Sequence, residues 1–598
     1  MPKNNTIVRY TDRDFSTIKE SLVNYAKRYY PDTYKDFNEA GFGSLMTDYV
    51  AYVGDILSFY MDYQANESFL DSAIEFDNVV RIAKTLGYNF TLNYASQGAA
   101  SFYATLPAQV SNQTQINTDY APIIKKGTAI RSIDGDSFIL TEDVNFADPD
   151  NQREVSIIDE TTGLVSYYAV RAVGKVMSGR QNLITVDVGD FERFAKVVID
   201  DEFVTEILSV IDSDGNEYFE VDYLSQNVVY KEIINPNSAT DKVGSILKPV
   251  LVSRRFTTEK NSENAILQFG FGSENNLSAD TYGRPENVVV QRFGRPYVST
   301  TSFDPTNLIE SDKFGIAPSN TTLTITYLKN DTLNPNASQG ALTDVVDAII
   351  EFPSSPSNLA TVENYVFESI RVSNEEPIVG SITVPTVEEL RHRALAAVSA
   401  QKRAVTKADY ETLTYAMPSN FGSVKRSRAT QDKDSFKKNL NLYIISENST
   451  AQLVESNTTI KNNLRTWITR HKMITDTVDI LDALIVNISI NFTVVADVNK
   501  NKFDVLNSCV EKLEDHFDIK FDIGEPLFYN DVFRVLKDVD GVLDVVEVFA
   551  TVNTGGDYAT SNFFITNNLS VDGRSVTLKE NQIFEIKFFD KDLIGTVL

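Results

Sequence analysis

The sequence predicts a multidomain α+β protein: an N-terminal helical bundle segment, β-rich middle domains, and C-terminal α+β domains with small antiparallel sheets. Three observations carry this. Apolar residues between 37 and 87 recur at helical spacing, residues 101–327 form short β-type runs broken by turn residues, and helices and strands alternate after Thr386. The chain has 598 residues. On a prior of about 150 residues per domain it holds about four domains. The expected divisions are a helical core-bundle region over 1–92, a β-rich middle over 93–330, a junction over 331–385, an α+β domain over 386–495 and a C-terminal α+β domain over 496–598.

In the first helix Leu45, Tyr49, Tyr52, Ile56, Tyr60 and Tyr63 recur three and four apart, one stripe of a 3.6-residue period. A second stripe, Met46, Val50, Val53, Leu57 and Met61, runs beside it, and Asp48, Asp55, Ser58 and Asp62 are confined to a narrow strip. A surface helix ordinarily shows one apolar stripe backed by a polar face. Burying one such side chain is worth roughly 1.5–3 kcal/mol, so five left exposed forfeit on the order of 10 kcal/mol. The second stripe therefore calls for a cover, from the rest of this chain or from another chain. Ser72 and Glu75 have capping-box spacing for a second helix, with Val79, Val80, Ile82, Ala83 and Leu86 as its apolar face and Gly87 as a left-handed stop.

Runs of Val, Ile, Phe, Tyr and Thr at 101–106, 165–176, 183–188, 217–221 and 322–327 read as strands. Asp134-Gly135-Asp136 and Asp214-Gly215-Asn216 read as turns between them. Phe269-Gly270-Phe271-Gly272-Ser273 is glycine-rich without the third glycine of a dinucleotide site, and reads as a β-turn. Farther on, Asn334-Pro335-Asn336 and Pro353-Ser354-Ser355-Pro356 read as loops around an apolar segment at 345–352.

Thr386 with Glu389, followed by Leu390, Leu395 and Val398, starts a helix, and Thr406 with Asp409 starts another that Pro418 ends. Between it and a strand near 440–445 lies a basic loop holding Lys425, Arg426, Arg428, Lys433, Lys437 and Lys438. Asp432 and Asp434 dilute its charge, which favours a solvated loop over a docking surface for an acidic partner. In 484–496 Val486, Ile488, Ile490, Phe492 and Val494 alternate with polar residues, a half-buried antiparallel strand. A helix with a seam of Phe503, Leu506, Val510, Leu513 and Phe517 follows, then a short helix at 530–538 and a strand at 542–552. That order suggests helices on one face of a small antiparallel sheet.

Composition excludes several function classes. A hydrophobic share of 42% with 11% aromatics is that of a folded protein. The net charge of −28 disfavours nucleic-acid backbones and anionic membranes. A single cysteine, Cys509, excludes an intrachain disulfide framework and fits a reducing compartment. The start, Met1-Pro2-Lys3-Asn4-Asn5-Thr6, lacks a signal-peptide core, and no run of about 18 apolar residues could span a bilayer. Folding in a cytoplasm is expected. Chemistry is equally unsupported. His392, His471 and His516 share no metal-ligand spacing with one another or with Cys509, which reads as a buried thiol. No nucleophile elbow or phosphate loop occurs, and a lone Trp467 suits a sugar cleft poorly. No catalytic residue, cofactor or metal is expected.

Three blocks, in order, resemble the baseplate J-like family, in particular the larger wedge subunits of T-even-like contractile-tailed phages. The first comprises Phe37-Asn38-Glu39-Ala40, Tyr49-Val50-Ala51-Tyr52-Val53-Gly54-Asp55-Ile56-Leu57-Ser58-Phe59-Tyr60, Ala65-Asn66-Glu67-Ser68-Phe69-Leu70 and Ala83-Lys84-Thr85-Leu86-Gly87-Tyr88. The second comprises Glu376-Pro377-Ile378-Val379-Gly380, Thr386-Val387-Glu388-Glu389-Leu390-Arg391-His392-Arg393-Ala394 and Lys402-Arg403-Ala404-Val405-Thr406-Lys407-Ala408-Asp409-Tyr410-Glu411. The third is the return at Gly541-Val542. The family's glycine-rich strand signature is only faintly echoed at 268–276.

The resemblance implies a structural, non-enzymatic role in the virion tail baseplate, assembled in the bacterial host cytoplasm. Such subunits form homodimers, join a smaller wedge subunit in a shared helical bundle, and link neighbouring wedges into a ring around the hub. Other baseplate or sheath-initiating proteins are further expected partners; nucleic acid and membrane are not. Expected bundle residues are Leu45, Tyr49, Val53, Ile56, Leu57 and Tyr60. The family-motif residues are Arg403, Ala404, Val405, Thr406, Asp409 and Tyr410. The competing class is a β-rich tail adhesin or fibre-like host-binding module, which would show repeats that this chain lacks.

Overall fold

The computed structural model describes residues 14–32, 41–88, 90, 93–109, 114–234, 245–260, 264–272, 314–352, 359–432 and 439–598. The 37–40 string, the 353–356 loop, residues 273–276 and Asp434 with Lys433, Lys437 and Lys438 lie outside them. The longer helices are, in chain order, α1 (Phe15–Tyr29), α2 (Phe42–Glu67), α3 (Phe76–Thr85), α4 (Leu359–Ser369), α5 (Val387–Ala400), α6 (Lys407–Tyr415), α7 (Thr458–Thr469), α8 (Lys502–Phe517) and α9 (Tyr529–Lys537). N-terminal helices, a β-rich middle and a C-terminal α+β part with small antiparallel sheets follow one another as the sequence predicts.

The chain forms two compact units. The first joins the residues up to Phe90 to Val384–Ala416 and His471–Asp476. Here Asp14 caps α1, accepting the Thr17 hydroxyl at 2.6 Å and the Thr17 amide at 2.9 Å. Those donors, the Thr17 hydroxyl foremost, hold the Asp14 carboxyl at about 2. α1 runs along α2 with Ile18 over Gly54, where a Cβ would sit 3.2 Å from Ile18 Cδ1, and Lys19 meets Asp48 at 2.7 Å. α3 packs with α5, burying Val79 and Ala83, and Gly87 ends its turn at φ +91°.

The expected Ser72–Glu75 capping box does not form. Glu75 is the N-cap but makes no side-chain cap, and the Ser72 hydroxyl donates to Asn66 O at 2.7 Å. Glu67, at the end of α2, takes over: its carboxylate accepts the Ile74 amide at 2.8 Å and Asn78 Nδ2 at 2.9 Å. A carboxylate beside the first turn of a helix satisfies the same orphan donors as a local cap would. Although burial opposes it, donation from Asn78, Ile74 and Glu75 holds the Glu67 carboxyl below its ordinary range.

The second unit holds the remaining segments. Its first sheet among the described residues is seven-stranded, in the order Leu342–Asp347, Ala129–Ser132, Ser137–Leu140, Val165–Ser178, Gln97–Pro107, Arg371–Ser373, with Gln152–Ile158 also on Val165–Ser178. Phe102, Leu106, Ile130, Phe138 and Phe146 fill its core. A second seven-stranded sheet runs Arg180–Val188, Thr321–Lys329, Val204–Ile211, Glu217–Glu220, Arg255–Lys260, Ala265–Phe269, Lys196–Ile199 over Phe256, Phe269 and Leu323. Gly270 and Gly272 mark a close backbone crossing and not the expected β-turn. A Cβ on Gly270 would lie 2.1 Å from Gly315 O, and Gly272 bridges Ile316.

The expected solvated basic loop is overturned at Lys425 and Arg426, while Arg428 is exposed. Arg426–Gln431 is a strand paired antiparallel with Leu440–Glu447, and Lys425 and Arg426 are buried. Lys425 Nζ meets the buried Glu447 carboxylate at 2.9 Å; Arg426 meets Asp522 at 2.9 Å and donates to Lys520 O at 2.7 Å. Buried cations persist only when so matched.

In the C-terminal part Leu484–Ala496 pairs antiparallel with Val542–Val552, and on its other side parallel with Gln582–Glu585 and Leu593–Val597. α8 covers this sheet with Val505, Cys509, Leu513 and Phe517. The expected seam is therefore out of phase at its start: Phe503 is exposed, and Leu506 and Val510 sit at the margin. Burial pushes the Cys509 thiol up to about 11. Maleimide is expected to leave the native chain unlabelled at neutral pH and to label it fully once unfolded, read by intact mass; rapid native labelling would contradict the buried placement.

Candidate assembly surface

α2 forms because its long run contains no proline; no side chain caps its N-terminus, and its last turn carries no cation. Its burial is inverted relative to an ordinary surface helix. The residues it buries are Ser44, Ala51 and Asn66. Large apolar side chains point outward: Tyr49 is 67% exposed, Leu57 57% and Val53 41%. Leu45, Tyr60, Met46, Val50 and Met61 are exposed as well, whereas Asp48, Asp55, Ser58 and Asp62 are only half-exposed. Of the six expected bundle residues, five are thus exposed and Ile56 is half-buried. α1 buries no residue and adds exposed Tyr25 and Tyr29, with ring centroids 4.7 Å apart. Contiguous apolar patches on this scale mark interaction surfaces.

The second sequence block supports the base of this helical unit. Arg391 is buried and its guanidinium faces the connector between α2 and α3. Nε donates to Leu70 O at 2.5 Å, Nη2 to Ala73 O at 2.8 Å, and Nη1 to Glu388 Oε1 at 2.6 Å. Two charged side chains thereby hold one connector: Glu67 takes its amides and Arg391 its carbonyls. Sequence reasoning missed both roles, because a buried arginine's partner lay over three hundred residues away; the only signal was Arg391 amid the apolar positions of α5.

Of the motif residues, Arg403, Val405 and Thr406 are exposed, Asp409 is half-buried, and Ala404 and Tyr410 are buried. Thr406 and Asp409 close a full capping box: Thr406 Oγ1 accepts the Asp409 amide at 3.3 Å, and Asp409 Oδ2 accepts the Thr406 amide at 2.7 Å. The Tyr410 hydroxyl donates to Asp476 Oδ2 at 2.7 Å; burial, then this bond, push its phenol well up. Thr406→Ala is expected to cost about 1 kcal/mol of stability and Thr406→Ser far less, as read from denaturant midpoints.

Among the described residues no group of three or more His, Cys, Asp or Glu is placed to hold a metal, and no helix is long and apolar enough to cross a membrane.

Residues 14–85 match the sequence family described as bacteriophage baseplate protein, N-terminal domain. No curated protein sequence matches the chain. Among solved structures, a chain of the cryo-EM structure of the anti-feeding prophage (AFP) baseplate, 6-fold symmetrised, is similar over 97% of this chain and 100% of that one. The identity is 10% and the TM-score 0.27, too loose a likeness to fix fold or role. The matched region spans α1, α2 and α3 and so includes the outward apolar face of α2.

Proposed function

We propose that this chain is a structural wedge protein of a contractile phage tail baseplate, assembled in the host cytoplasm and carried in the virion. In this reading two copies join a smaller wedge subunit through a bundle built on α2, and the C-terminal half makes the contact that links wedges into a ring around the hub. Neighbouring wedges and other baseplate or sheath-initiating proteins are its further partners, and its work is mechanical, without catalysis. The observation that carries it is the outward apolar face of α2 within a region that matches a baseplate N-terminal domain. A free helix of this kind leaves side chains in water that are each worth roughly 1.5–3 kcal/mol on burial.

Co-expression with the smaller wedge subunit, followed by native mass measurement, tests this. The expected product is a complex holding two copies of this chain. A stable monomer that ignores that subunit would sink the reading.

A further inference from the structure

In a chain of net charge −28, the turn between α5 and α6 gathers exposed cations: Lys402, Arg403 and Lys407. None of the three meets a carboxylate within ion-pairing distance among the described residues. The nearby acids are turned to other work. Asp409 accepts the Val405 and Thr406 amides, and Asp476 accepts the Tyr410 hydroxyl.

Beside these cations stand apolar side chains with no cover: Val405 and Met473 are about half exposed, and Ile474 is fully exposed. The two segments are bolted together. Ala404 bridges Lys472, the Ala404 amide donates to His471 O at 3.0 Å, and His471 Nδ1 donates to Lys402 O at 2.9 Å. Gln401 and Lys402 hold left-handed backbone at φ +49° and +57°, a conformation that non-glycine residues keep only when the surroundings impose it. The surface is therefore preorganised, and docking onto it costs little ordering entropy.

We propose that Lys402, Arg403, Lys407, Val405, Met473 and Ile474 form a docking site for an acidic, amphipathic segment of a protein other than this chain. Unpaired cations attract carboxylates and set orientation, while the apolar side chains supply buried area. The six residues include no aromatic on which bases could stack, which favours a protein segment over a single-stranded nucleic acid. The site uses no residue of α2 and stands independently of the bundle.

The test is fluorescence anisotropy with the full chain and a labelled amphipathic peptide of about twenty residues, Leu at three- and four-residue spacing and Glu elsewhere. Saturable binding is expected, weakened at least about tenfold by Lys402→Glu/Arg403→Glu and by Ile474→Asp, and weakened by raising salt from roughly 50 to 300 mM. Val53→Asp/Leu57→Asp should bind as the parent does. Unchanged binding in the patch variants, loss only in the α2 variant, or a preference for a Leu/Lys peptide would overturn the proposal. Tighter binding of a single-stranded oligonucleotide would overturn it in favour of phosphate, and chain self-association lost on Lys402→Glu would overturn it in favour of a second copy.

Discussion

On the proposed wedge role, Val53→Asp/Leu57→Asp will abolish assembly with a smaller wedge subunit while leaving this chain folded. Val53 is 41% and Leu57 57% exposed on α2, so their replacement removes little packing within the chain. In a bundle each would be buried at a value of roughly 1.5–3 kcal/mol, and losing two weakens association by about 3–6 kcal/mol. At 1.4 kcal/mol per decade this is roughly a hundredfold to ten-thousandfold. Introduced carboxylates add a desolvation cost in the same direction. The check is native mass of the co-expressed pair beside a thermal melt of the variant alone. An intact complex would refute the bundle assignment, and an unfolded variant would show that the stripe is covered by this chain itself.

The second large effect is expected at Arg391, where the load is carried within the chain. Arg391→Leu keeps the aliphatic volume but strips the donors from Leu70 O and Ala73 O, both buried beneath it. Each orphaned carbonyl costs about 1–3 kcal/mol, so the first unit should lose about 2–6 kcal/mol. The change should appear as faster hydrogen exchange in 68–75 and in α3, with the C-terminal sheet unaffected. Glu388→Gln, which alters only a partly exposed partner, should cost under about 1 kcal/mol. Equal exchange in parent and Arg391→Leu would contradict the hold of Arg391 on the α2–α3 connector.

What the sequence made legible and what it hid divide along contact range. α2, α6, Leu484–Ala496 and Val542–Val552 were readable because their periods and caps are local, as the complete Thr406–Asp409 box shows. The Ser72–Glu75 spacing looked equally local, yet Glu67 reached the same amides first from the preceding helix. Lys425 and Arg426 read as solvated because their partners, Glu447 and Asp522, are brought near only by the sheet. The α8 seam slipped because apolar residues occupy two adjacent phases of that helix, and only packing on Leu484–Ala496 chooses Val505 and Cys509. On the candidate surface, the excess of apolar residues on α2 was visible in advance. Which of them face outward was not, since that depends on α1 lying over Gly54.

Peroxide oxidation of Met46 and Met61 probes the outward face of α2 most directly, because both are exposed in the free chain while Met177 and Met417 are buried and serve as internal references. Mass spectrometry of the free chain and of the proposed complex with a smaller wedge subunit would follow each sulfoxide. Protection of Met46 and Met61 by about tenfold or more in the complex, with the references unchanged, is the predicted result. Equal oxidation of the two in free and assembled chain would contradict α2 as the assembly interface.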